Sequence, residues 1–147
     1  MTKGTATIKQ TRFIPGTPDA VFDTLVYPEA HGEFTGSKAT GDPRVGGEFT
    51  VWDGYIRGRN LELQKGSKIV QEWETTEWPE GAPPSILEIS LTAKDEGTEL
   101  RMIHSRVPAE QAENYRKGWI DFYWKPLLEY FEKGKRKAGR RTVPPKI

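Results

Sequence analysis

Two histidines, His31 and His104, are the side chains of this 147-residue sequence that ordinarily titrate near neutrality. His104 lies in the run TELRMIHSR, where Leu100, Met102 and His104 alternate with Glu99, Arg101, Ile103 and Ser105. An alternating run places Leu100, Met102 and His104 on one strand face, and an apolar face of that kind looks inward. An imidazole there serves either as a hydrogen-bonding or acid–base group on a cavity wall, or as a core histidine satisfied by a neighbour. Aromatic rings are the second resource. Seven of them, Tyr115, Trp119, Phe122, Tyr123, Trp124, Tyr130 and Phe131, fall in one C-terminal segment. Trp73, Leu100, Met102, His104, Trp119, Phe122 and Tyr123 are therefore the candidate lining of a pocket for a flat apolar molecule. The competing reading is that the same rings fill the core.

Other chemistries have no residues to carry them. Cysteine is absent, which removes disulfides, thiol nucleophiles and cysteine zinc sites. The two histidines are far apart and no HExxH occurs, so neither a metal nor a cofactor is expected. GxGxxG, GxxxxGK[ST] and GxSxG do not occur either. Glu72 and Glu74, with Arg57 and Arg59 nearby in type, read as exposed cross-strand ion pairs rather than an acid–base couple. No catalytic set is assigned.

The formal charge of +1 hides an asymmetry, because all 21 acidic residues precede Lys133. Residues 133–147 hold Lys133, Lys135, Arg136, Lys137, Arg140, Arg141 and Lys146 and no carboxylate side chain. This run is read as a solvated helix end suited to the negative C-terminal dipole, the alternative being an arm for an acidic partner. Nucleic acid is not an expected partner, since a basic tail without a basic body rarely supports readout.

These residues need elements to hold them. TATIKQTRFI over 5–14 predicts a first strand, ended by Pro15-Gly16. Thr17-Pro18 predicts an N-cap and first helical residue, and a second short helix starts at Pro28 and stops at Gly36. Asp53-Gly54 predicts a type I′ hairpin pairing Glu48 with Arg59, Phe49 with Gly58, Thr50 with Arg57, Val51 with Ile56 and Trp52 with Tyr55. Phe49, Val51 and Ile56 then face inward, while Trp52 and Tyr55 share the outer face. Gly58 predicts a bulge or bend in that strand. Ile69, Gln71 and Trp73, and then Leu87, Ile89 and Leu91, mark the faces of two further strands. A long helix follows Val107-Pro108, and Pro126 should kink or locally bend it. Residues 1–132 read as a single domain and 133–147 as a flexible basic tail. No apolar leader and no run of 18 apolar residues occurs, so a cytoplasmic protein without a membrane span is expected.

The order of strand, two short helices, six antiparallel strands and a long aromatic helix resembles the helix-grip fold of the START-like, pollen-allergen-like superfamily, an α+β class. Gly46-Gly47-Glu48-Phe49, Trp52-Asp53-Gly54, Gly58-Arg59-Asn60-Leu61-Glu62-Leu63, Ile69-Val70-Gln71-Glu72-Trp73, Gly97-Thr98-Glu99-Leu100, His104, Gly118-Trp119 and Trp124-Lys125-Pro126-Leu127 resemble one branch of it. That branch is the family named for the activator of the heat-shock-protein-90 ATPase, in its short stand-alone form. The resemblance implies a curved antiparallel sheet wrapped around the C-terminal helix. It also implies a cavity between them that holds a small hydrophobic or aromatic molecule. Two alternatives accompany that expectation: an interaction module that docks on a chaperone, and a cyclase- or hydrolase-like enzyme using His104. A monomer or homodimer is expected.

Overall fold

The computed structural model describes residues 4–140, with side chains through Lys133. Seven strands form one antiparallel sheet: β1 (Thr5–Ile14), β2 (Thr40–Gly41), β3 (Glu48–Val51), β4 (Ile56–Gln64), β5 (Lys68–Thr75), β6 (Ser85–Lys94) and β7 (Gly97–Pro108). Their order across the sheet is β1-β7-β6-β5-β4-β3-β2, so β1 closes the meander by pairing with its last strand. Helices α1 (Pro18–Val26) and α2 (Pro28–Thr35) follow β1. The C-terminal helix runs from α3 (Ala112–Gly118) through a π-helical turn (Trp119–Trp124) into α4 (Lys125–Arg140). This is the helix-grip architecture, a curved sheet against a long C-terminal helix.

Local chemistry accounts for most boundaries. The Thr17 side chain accepts a hydrogen bond from the Ala20 amide at 3.1 Å, and Pro18 supplies the preset first helical residue. Gly36 ends α2 in the left-handed region, φ 79°. Alternation along β5 and β6 buries Ile69, Trp73, Leu87, Ile89 and Leu91. On the outer face Arg57 and Arg59 lie opposite Glu74 and Glu72 and pair with them at 2.9 and 3.5 Å.

Three expectations are corrected. The Asp53-Gly54 turn forms, with φ 58° and 91°, and the ladder from Glu48–Arg59 to Val51–Ile56 has the expected register. Trp52, however, also takes a positive φ of 56° and leaves the strand with Tyr55. Its ring thereby swings to the inner side, against Phe122 and Tyr123. The two-residue turn that joins continuous strands is instead Asp95-Glu96, between Lys94 and Gly97. Gly58 is not a bulge: it pairs regularly with Phe49 and Trp73, and the register shift of β4 falls between Asn60 and Glu62. Glycine is required at 58 because a β-carbon would lie 1.8 Å from the Glu72 carbonyl oxygen and 2.7 Å from the Phe49 ring.

The local irregularity expected at Pro126 appears one turn earlier. Proline has no amide hydrogen, and its ring crowds the carbonyl four residues back, that of Phe122. The backbone widens at Trp119–Trp124, and the Lys125 amide bonds to the Ile120 carbonyl, five residues back. In α geometry residues five apart point about 140° away from each other. One π-turn brings Trp119 and Trp124 to the same side, stacked at 5.2 Å between centroids and both buried. The helix stays continuous to Arg140, so the basic run begins on it; residues 141–147 of the expected tail lie outside the described residues.

Candidate functional site

His104 is the hub of a buried network. Its Nδ1 accepts from the Trp119 indole N–H at 3.1 Å, and its Nε2 is 2.8 Å from Ser85 Oγ. Ser85 donates its only hydroxyl hydrogen to the Trp73 carbonyl at 2.6 Å. The serine oxygen must therefore accept from His104 Nε2–H, which assigns the neutral Nε2–H tautomer. Burial lowers the pKa to about 3, and the indole bond to Nδ1 further opposes protonation. No carboxylate is among these partners, and the side chain is fully buried. Ring edges of Trp73 and Trp119 enclose it at 4.6 and 5.7 Å. This arrangement sets the position of Trp119 relative to β5, β6 and β7; it offers neither a proton acceptor at a surface nor an approach for one.

Below Trp119 lies a cavity of about 40 Å³, bordered by Leu25, His31, Asn60, Gln71, Leu87 and Ile89 among others. That volume is of the order of one or a few waters and far short of a ligand pocket. Asn60 is held there by bonds to the Asp42 and Arg44 carbonyls and from Gln71. His31 Nε2 lies 3.1 Å from the Tyr123 hydroxyl, whereas its Nδ1 is buried without a partner. Burial lowers the His31 pKa to about 4.

The larger space opens on the other side of the same rings. A groove of about 640 Å³ runs between the β3–β4 turn, the segment after β5, α3 and the π-turn. Its floor is Trp73, Trp119 and Tyr123, each buried, and these three also border the inner cavity. Its rim is Trp52, Tyr55, Tyr115 and Phe122, with Phe122 57% exposed. Polar groups are few, and all but Asn114 are mutually held. The Tyr55 hydroxyl donates to Glu77 Oε1 at 2.9 Å, and the Gln111 amide donates to the Glu77 carbonyl at 2.8 Å. The Tyr115 hydroxyl bridges Thr75 and Gln111, 2.8 Å from each. Burial is the main reason the Tyr55 and Tyr115 hydroxyls are harder to ionise than usual.

Of the seven candidate lining residues, Trp73, Trp119, Phe122 and Tyr123 border this groove. Leu100, Met102 and His104 do not: they face inward beside Leu91, Ile89 and Leu87 of β6 and are fully buried in the core, with the indole of Trp119 bonded to His104. Trp52, Tyr55, Glu77, Gln111 and Tyr115 are wall residues that strand alternation misses. Trp52 is displaced by its backbone angle, and Glu77 lies in a loop where no period applies. The Pro/Gly-rich composition after Trp78 is the only signal in the sequence that this loop is special.

A profile of the family described as Activator of Hsp90 ATPase homolog 1-like protein matches residues 15–132. The chain is 31% identical over 119 residues to the activator of 90 kDa heat shock protein ATPase homolog 1 of Homo sapiens, covering 81% of this chain and 35% of that protein. It is 29% identical over 118 residues to the corresponding Dictyostelium discoideum activator homolog, covering 78% and 30%. It thus spans about a third of the length of these curated relatives. Among solved structures, an HSP90 activator from Plasmodium falciparum superposes with a TM-score of 0.73 at 24% identity, over 90% of this chain and 96% of that one, a likeness of fold. The match over most of the chain, on a sheet and helix of the same architecture, places it in the family of activator of Hsp90 ATPase homolog 1-like proteins.

Proposed function

We propose that this chain is a non-enzymatic, cytoplasmic binding protein whose aromatic groove takes a small hydrophobic or aromatic molecule. The observation that carries this reading is the groove itself, about 640 Å³ and walled by seven aromatic rings. That volume is in the range of small-molecule sites, whereas the inner cavity of about 40 Å³ is not. Rings give such a wall large contact area at little conformational cost. Titration with the uncharged fluorophore N-phenyl-1-naphthylamine tests it. Saturable binding near one equivalent is expected, weakened several-fold by Phe122→Ser, a rim change that leaves the core intact. Absence of saturable binding to the folded protein would overturn the reading.

A second reading follows from the relatives: a chaperone partner that docks through the exposed rim. It is favoured by the names of the human and Dictyostelium homologs as activators of the 90 kDa heat shock protein ATPase. Stimulation of that chaperone's ATPase by the purified chain, lost in Phe122→Ser, supports it. Unchanged ATPase and no association in sedimentation overturn it.

A further inference from the structure

The groove's charge is as one-sided as its lining is aromatic. Glu77 is the single charged residue among those bordering it. Its Oε1 is held by the Tyr55 hydroxyl, and its backbone carbonyl is held by Gln111, which also bonds Tyr115. No lysine or arginine among the described residues forms an ion pair with Glu77, and none borders the groove. A carboxylate fixed beside aromatic rings and left without a counter-ion is the complement of an organic cation. Ring faces attract a positive charge through their quadrupole, most strongly for indole, and that attraction grows as water is excluded.

We infer that the groove selects a small organic cation with an apolar body, an alkylated ammonium or aromatic amine, seated among Trp52, Trp73, Tyr115 and Trp119 and paired with Glu77. This inference rests on the groove-binding reading and narrows its ligand class. An anionic ligand is disfavoured by the same carboxylate, and a neutral one supplies it no counter-ion.

An isosteric pair separates charge from shape. In 4-hydroxyphenyltrimethylammonium and 4-tert-butylphenol a quaternary nitrogen replaces a quaternary carbon, and all else is the same. Binding is read from the tryptophan indole N–H signals in proton–nitrogen correlation spectra. The cation is expected to bind at least about fivefold tighter than its neutral isostere. Glu77→Gln, an exposed change whose folding is checked by circular dichroism, should erase most of that preference and leave 4-tert-butylphenol unaffected. Equal or tighter binding of 4-tert-butylphenol to the unmodified protein would overturn the cation assignment while sustaining the groove. A preference unchanged in Glu77→Gln would overturn the role of Glu77. If neither compound moves the groove indoles, the groove reading itself fails.

Discussion

His104 and His31 show how burial converts a titratable residue into a structural one. Their pKa values are lowered by burial to about 3 and about 4, whereas an unfolded chain holds them near 6.5. As pH falls below about 6.5 the unfolded chain takes up these protons and the native state does not. Stability therefore falls with pH, by about 1.4 kcal/mol per unit for each histidine, until the folded pKa is reached. Above about pH 6.5 neither histidine contributes to the slope. Urea unfolding between pH 7 and 4.5 should show this, and His104→Phe should remove one proton's worth of it. The same variant should cost about 1–3 kcal/mol at pH 7, because the Trp119 indole N–H loses its buried acceptor. An unchanged slope in His104→Phe would refute the neutral assignment.

Among the elements, the β3–β4 hairpin separates two uses of glycine. At Gly54, φ is 91° and the space a β-carbon would take is open, so the need is conformational alone. Gly54→Ala should cost about 1 kcal/mol. At Gly58 the backbone is an ordinary strand, but the Glu72 carbonyl and the Phe49 ring occupy the β-carbon site. Gly58→Ala should therefore cost more than about 2 kcal/mol, as a steric insertion into a packed sheet. Denaturant midpoints of the two variants decide it, and an equal or reversed ranking would contradict the packing described. The turn signal and the ladder register were legible in the sequence, because both depend on neighbours along the chain. The fate of Trp52 was not. With its positive φ, its ring packs against Phe122 and Tyr123, about seventy residues away.

On the scale of the whole molecule, the sheet and the C-terminal helix meet along rings that end at Phe131. Phe131 packs over Gly16, where a β-carbon would lie 2.4 Å from its ring. It is also the last hydrophobic residue packed against the core among the described side chains. Ending the chain after Lys133 should leave the fold intact and lower the melting temperature by a few degrees at most, as for a loss under about 1 kcal/mol. Ending it before Tyr130 removes Phe131 and the Tyr130–Glu33 bond of 2.8 Å to α2, and should destabilise far more. Differential scanning calorimetry of the two truncations provides the comparison, and similar losses would show that the basic run packs on the body.

Element order, helix caps, strand faces and the aromatic stripe of the last helix all follow from periods and turn residues a few positions apart, so the residues alone specify them. The inward direction of His104 belongs to the same class. Which inward residues meet solid core and which border open space is a matter of distances between elements that never adjoin in sequence. Ser85 and Trp119 come from β6 and the π-turn to saturate His104. The π-turn, a change of one hydrogen-bond step, redirects Trp124 by more than a quarter turn. The aromatic stripe is therefore divided by packing: Trp119 and Tyr123 form the floor, Phe122 forms the rim, and Trp124 is buried against Gln10. The division depends on how stiff rings share a curved sheet, a property of the assembled volume that no local pattern encodes.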